Sequence, residues 1–141
     1  MKNIVISILF ISLASCNMFS QNNQARKWDF DRKDTLTINY SSGSSFNFSE
    51  SSTNQIQISL DEFNSVAFTI SVTEEVGGVL ITEDIVNYNP HKPTPISDIQ
   101  WSILLPKGII IKMRGANAVI NIDNYEGNLI NTGGLCKIKI N

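Results

Sequence analysis

From Trp28 onward the chain alternates between apolar and polar residues in short runs, and that pattern leaves little room for anything but strands. Leu36, Ile38 and Tyr40 are separated by Thr37 and Asn39, and Ile56, Ile58 and Leu60 by Gln57 and Ser59. Phe46 and Phe48 follow the turn Ser41-Ser42-Gly43. Val66, Phe68, Ile70 and Val72 come next, then Val79 and Ile81 after Gly77-Gly78. A period of two places the apolar side chains on one face of a strand and the polar ones on the other. Gly, Ser, Asn and Asp break the runs, and helical periodicity is almost absent. Residues 28–141 are therefore expected to form an all-β domain.

The runs also recur in register. Ile38, Phe48, Ile58 and Phe68 are spaced by ten, and so are Ile99, Ile109, Val119 and Leu129. Gly108 and Gly127 are nineteen apart, as are Gly115 and Gly134. A strand plus a turn in about ten residues suits a β-solenoid with two strands per coil. The glycine recurrence favours such a short β-solenoid, and a β-sandwich is the alternative because it also uses strands at this spacing. Residues 85–98, IVNYNPHKPTPISD, interrupt the pattern. Pro90, Pro93 and Pro95 remove backbone donors and bar a central strand, so this is a surface loop. Loops of this kind are where a partner site is sought first.

The N-terminus reads differently. Lys2 precedes an apolar stretch from Ile4 to Leu13, and small residues follow. The stretch is too short to span a bilayer and has the charge–apolar–small order of a signal peptide over residues 1–15. Leu13-Ala14-Ser15-Cys16 resembles the bacterial lipobox, in which the Cys16 thiol carries a diacylglyceryl group. The competing reading is ordinary secretion with cleavage after Ser20, although Met18 is then poorly placed. Residues 16–27 read as a flexible tether between membrane and domain. No acidic residue appears before Asp29, which by resemblance to sorted lipoproteins favours an outer-membrane lipoprotein facing the periplasm.

Charged residues make up 17% of the chain and the net charge is −2. No basic cluster is denser than Arg26-Lys27 or Lys112 with Arg114, so a phosphate-tracking nucleic-acid surface is not expected. With Cys16 lipidated, Cys136 stands alone and reads as a small buried apolar residue.

The segment from Ile99 carries Leu105-Pro106-Lys107-Gly108, then Gly115, Gly127 and Gly134 between short strands. This resembles a presumptive adhesin family of bacterial envelope β-strand-repeat domains whose function is unknown. The resemblance extends loosely over residues 28–141, through Leu36-Thr37-Ile38, Ile56-Gln57-Ile58 and Gly78-Val79-Leu80-Ile81. It implies a single-stranded β-helix like the head domains of autotransporter adhesins. It implies no chemistry. Such domains usually continue for several more coils, whereas here Ile140-Asn141 follow directly on a strand. A solenoid ending there presents an uncapped edge that invites self-association. Pro106 sets φ for a turn and Gly108 supplies positive φ, so the motif reads as a tight corner in which Lys107 needs no catalytic role.

Catalytic patterns are weak. His91 sits in the proline loop without a Cys, Asp or Glu within six residues, and no G-x-S-x-G elbow exists. Asp29, Asp31 and Asp34 lack the glycine and distal glutamate of a calcium loop, and read as a solvated edge. Glu74, Glu75, Glu83 and Asp84 flank Gly77-Gly78, but adjacent strand residues point to opposite faces, so a cation site is not expected. Gly77-Gly78 and Gly133-Gly134 are turn residues rather than phosphate loops. Trp101 alternates with Ile99 and Ile103 and reads as core, while Trp28 docks on the first strand. Asp34-Thr35-Leu36 resembles an O-glycosylation triplet but is short.

The expectation is a non-enzymatic exported envelope protein, with no cofactor and no metal. It is lipid-anchored and binds an envelope protein or polysaccharide through edges and loops. A purely structural envelope role is the alternative. A carbohydrate-processing enzyme on a β-helix would rest on Asp123 and Glu126, which are poorly placed across a turn.

Overall fold

The computed structural model describes residues 26–31, 33–62 and 67–141. They form eleven strands and no helix: β1 (Arg26–Asp31), β2 (Thr35–Tyr40), β3 (Ser45–Glu50), β4 (Gln55–Glu62), β5 (Phe68–Glu75), β6 (Gly78–Ile85), β7 (Gln100–Leu105), β8 (Ile110–Gly115), β9 (Ala118–Asp123), β10 (Asn128–Asn131) and β11 (Cys136–Ile140). The all-β expectation holds. Strand β1 takes in Arg26 and Lys27, the last two residues of the expected tether.

The strands divide between two mixed sheets. Sheet A has the order β1-β4-β7-β3-β9-β11 and sheet B the order β10-β8-β2-β6-β5. Four strand pairs cross from sheet B to sheet A: β2–β3, β6–β7, β8–β9 and β10–β11. Within each sheet these strands run parallel to one another. One hydrophobic cluster lies between the sheets, with Leu36, Ile38 and Ile81 from sheet B meeting Phe46, Phe48 and Trp101 from sheet A. Two facing sheets fit the sandwich alternative.

The order departs from that of coils laid down one after another. The last two units follow chain order, but β2–β3 sits between β8–β9 and β6–β7. The reason lies in the first half of the domain. Val76-Gly77 joins β5 to β6 in a two-residue loop, with Gly77 at φ 72° and Glu75 opposite Gly78. So short a loop returns the chain antiparallel in the same sheet, where a coil needs a crossover. Strands β4 and β1 are antiparallel as well.

Alternation determines which side chains are buried. In β2, Leu36, Ile38 and Tyr40 point inward, and β3 places Phe46 and Phe48 in the same way. Each large side chain buried here contributes roughly 1.5–3 kcal/mol. The ten-residue register ends at Val119, which is exposed, while Ala118 and Ile120 fill the core. Only Ala116 and Asn117 separate β8 from β9, so the phase shifts by one residue at that corner. The nineteen-residue glycine spacing also differs from the stacking distance. Cys136 lies beside Ala118 and Asn128 beside Ile110, a step of eighteen. A Cβ on Gly133 would meet the backbone oxygen of Gly115 at 2.3 Å, so Gly133 rather than Gly134 sits on Gly115.

Candidate interaction surface

The corners between the sheets form two stacks, one at each end of the strands. In one stack, Ser41–Ser44 lies between Ala116-Asn117 and the start of β7, and backbone bonds tie the layers together: Gly43 N–H donates to Asn117 O at 2.8 Å and Ser97 N–H to Ser42 O at 2.6 Å. The proline loop, residues 86–99 between β6 and β7, belongs to this stack. Its end is anchored by buried Ser97 and Ile99, while Tyr88 and Ile96 are exposed. His91 is exposed, with its backbone N–H bonded to Asn89 Oδ1 at 2.9 Å.

The feature that alternation did not single out as chemistry is Glu83. It follows Val79 and Ile81 on the inward face of β6, and only 6% of it is exposed. Trp101 Nε1 donates to Oε1 at 2.7 Å, and Ser41 N–H and Ser44 Oγ donate to Oε2 at 2.7 and 2.6 Å. Ser97 Oγ lies 2.9 Å from Ser44 Oγ and accepts from Ile99 N–H at 3.1 Å. Burial pushes the Glu83 carboxyl up from its ordinary value, against the opposing effect of these donors. Both oxygens of this buried carboxyl are taken up by protein donors. It holds the corner together.

Sequence reasoning placed Glu83 beside the Gly77-Gly78 turn. It lies at the other end of β6, with its neighbour Asp84 exposed. Glu74 pairs with Lys33 at 2.5 Å. No cluster of three or more metal-ligating side chains occurs among the described residues. The inward phase of β6, continued two residues past Ile81, was the signal that could have located Glu83.

At the opposite stack of corners, Leu105-Pro106-Lys107-Gly108 carries the chain from β7 in sheet A to β8 in sheet B. Leu105 and Ile109 are buried, and Gly108 has φ 80°. Lys107 Nζ is exposed and stands 3.9 Å from both Glu50 Oε1 and Glu126 Oε2. Trp101 is fully buried, and Trp28 packs against it with ring centroids 6.2 Å apart. Asp29 and Asp31 lie exposed on the outer face of β1. Asp123 and Glu126 are also exposed, the first accepting from Asn124 Nδ2 and the second near Lys107 Nζ.

Among the described residues, Ile130, Leu135, Ile138 and Ile140 gather exposed apolar material at the end of the stack formed by β10 and β11. Ile138 lies beside buried Ile120, and Ile140 beside Ile122, so both point to the core side. They are nevertheless 47% and 76% exposed, because among the described residues no strand lies beyond them. Leu135 is 87% exposed at the same end. Open grooves of about 420 and 350 Å³ adjoin the two ends of β11, the first lined by Glu50, Tyr125 and Ile140, the second by Gly43, Leu135 and Cys136.

Cys136 is half-buried here rather than sealed in a core. Its sulfur lies 3.0 Å from Tyr40 Oη and 3.1 Å from Asn131 Nδ2. Burial, and then the neighbouring sulfur, raise the Tyr40 hydroxyl well above its ordinary value, so it stays protonated and able to donate. The signal peptide expected over residues 1–15, the lipid expected on Cys16 and the expected tether up to residue 25 lie outside the described residues.

No family model matches the chain, and no curated protein matches it. Among solved structures it is similar to a candidate cell adhesion protein from Clostridium sporogenes ATCC 15579, at 15% identity and TM-score 0.48, over 80% of this chain and 59% of that one. A candidate adhesin from Bacteroides fragilis NCTC 9343 is similar at 16% identity and TM-score 0.42, over 86% of this chain and 58% of that one. A candidate lipid-binding protein from Parabacteroides distasonis ATCC 8503 is similar at 13% identity and TM-score 0.38, over 85% of this chain and 60% of that one. The chain spans about three fifths of the length of these structures.

Proposed function

We propose that this chain is a non-enzymatic, adhesin-like envelope protein, exported and tethered through a lipid on Cys16, that binds a partner by extending its sheets at the β10–β11 end. The carrying observation is the exposure of Ile138 and Ile140 on the core side of a strand whose far edge is unpaired among the described residues. An edge with free backbone donors and acceptors and an uncovered apolar row is a template for strand addition. The four stacked parallel units read as a short β-solenoid built out of chain order, with β10–β11 as the outermost layer among the described residues.

Cross-linking in living cells tests this reading. It predicts a specific product that is lost with Ile138→Asp and Ile140→Asp. Recovery of single chains only, with the protein folded and exported, overturns it.

A further inference from the structure

The geometry points to a second copy of this chain as the occupant of that end: β11 of one copy adds alongside β1 of the next, head to tail. The inference rests on the proposed interaction role and names the partner.

Sheet A ends in two different edges. At one end is β11, at the other β1. Strand β1 is antiparallel to β4, which is antiparallel to β7, and β7, β3, β9 and β11 run parallel. Strands β1 and β11 therefore point the same way. A copy moved along the stack, with the usual sheet twist, sets its β11 beside β1 as a parallel neighbour about 4.8 Å away.

The side chains match in kind on both faces. On the outer face β1 carries exposed Lys27 at its start and then the exposed pair Asp29 and Asp31, the latter accepting from Gln55 Nε2 at 2.8 Å, and β11 carries the exposed pair Lys137 and Lys139. Each pair is two residues apart, so one register sets Asp29 beside Lys137 and Asp31 beside Lys139. The same register sets Phe30 beside Ile138 on the core side. Phe30 and Trp28 face inward opposite Ile56 and Ile58, yet both are only partly buried, as befits an edge awaiting a neighbour.

The charges also select against the simplest alternative. Two copies joined through β11 alone would set lysine near lysine, the arrangement that ordinarily protects edges from self-pairing. Joining unlike edges turns the same charges into attractive pairs. Sheet A has one strand more than sheet B, so the contact is carried by sheet A. A contact between unlike surfaces does not close on two copies and builds an open chain of them.

Sedimentation velocity on the purified full chain tests the inference. The wild type is expected to grow beyond a dimer with concentration, and less so at high salt, because the pairs are exposed. Lys137→Glu with Lys139→Glu, and separately Asp29→Lys with Asp31→Lys, each shift association about tenfold or more to higher concentration. Mixing the two variants restores it, since each then offers the other an opposite edge. A single chain at every concentration overturns the inference, as does a dimer sensitive only to the lysine reversal, or an assembly indifferent to both. A chain that stays single in solution, yet cross-links from its β11 end to another envelope molecule in cells, overturns this inference and leaves the interaction role standing.

Discussion

Trp101 Nε1 donates to Glu83 Oε1 across the space between the two sheets, at 2.7 Å. The bond links β7 to β6 at the corner where the chain makes its longest crossover. Trp101 is fully buried and Glu83 almost so. The pair therefore couples the largest core side chain to the one carboxyl that reaches the core face of β6.

Replacing Glu83 should be costly in a pH-dependent way. Glu83→Gln turns one acceptor into a donor that faces protein donors, and removes about 1–3 kcal/mol of stability. The sign of the pH effect follows from the raised carboxyl. Below the ordinary value of 4.5 the group is neutral in both folded and unfolded chains, and its contribution is fully present. As pH rises, the unfolded chain ionises first, and the contribution falls until the folded carboxyl also loses its proton. The gap between wild type and Glu83→Gln in chemical denaturation should therefore narrow from pH 4 to pH 7. A gap that widens would show that the donors outweigh burial.

Gly115 should not tolerate a side chain. A Cβ there would meet the backbone oxygen of Tyr40 at 2.3 Å and its ring at 2.6 Å. Gly115→Ala must push β8 from β2 and should cost about 1–3 kcal/mol. A midpoint of thermal unfolding equal to that of the wild type would contradict the tight stacking of these corners.

The Leu105-Pro106-Lys107-Gly108 corner separates shape from charge. Gly108→Ala forces an alanine to φ 80° and should cost about 1 kcal/mol, although a Cβ there has open space. Lys107→Ala should change stability by less than about 0.5 kcal/mol, because its partners are 3.9 Å away and exposed. Denaturation of the two variants side by side checks this. A larger loss from Lys107→Ala would give the lysine a role that the geometry does not.

Much of this architecture was legible in the sequence. Period-two alternation identified Leu36, Ile38, Phe46, Phe48, Ile56, Ile58 and Trp101 as core, and the prolines marked the loop after β6. Strand order was not legible, because the pattern of a strand is the same whether its neighbour is parallel or antiparallel. Only the length of the connection carries that information, and the two-residue loop at Val76-Gly77 was the clue. The phase shift at Ala116-Asn117 defeated the ten-residue register for the same reason. Glu83 was hidden because an inward glutamate at a strand end looks like any exposed one until Trp101, Ser41 and Ser44 are brought to it from elsewhere in the chain.

The proposed lipid anchor is open to mass measurement. The mature protein from membranes should weigh residues 16–141 plus an acylated glycerol, and Cys16→Ser should lose that form. An unmodified protein beginning at Gln21 would make it a secreted protein and remove the tether.

The most direct measurement places a photoreactive side chain at position 140 in living cells, with position 69 on the exposed face of β5 as the control. The account predicts a discrete cross-linked product from position 140 and none from position 69. Products from neither position, or equally from both, would contradict the claim that the β10–β11 end is where this protein meets its partner.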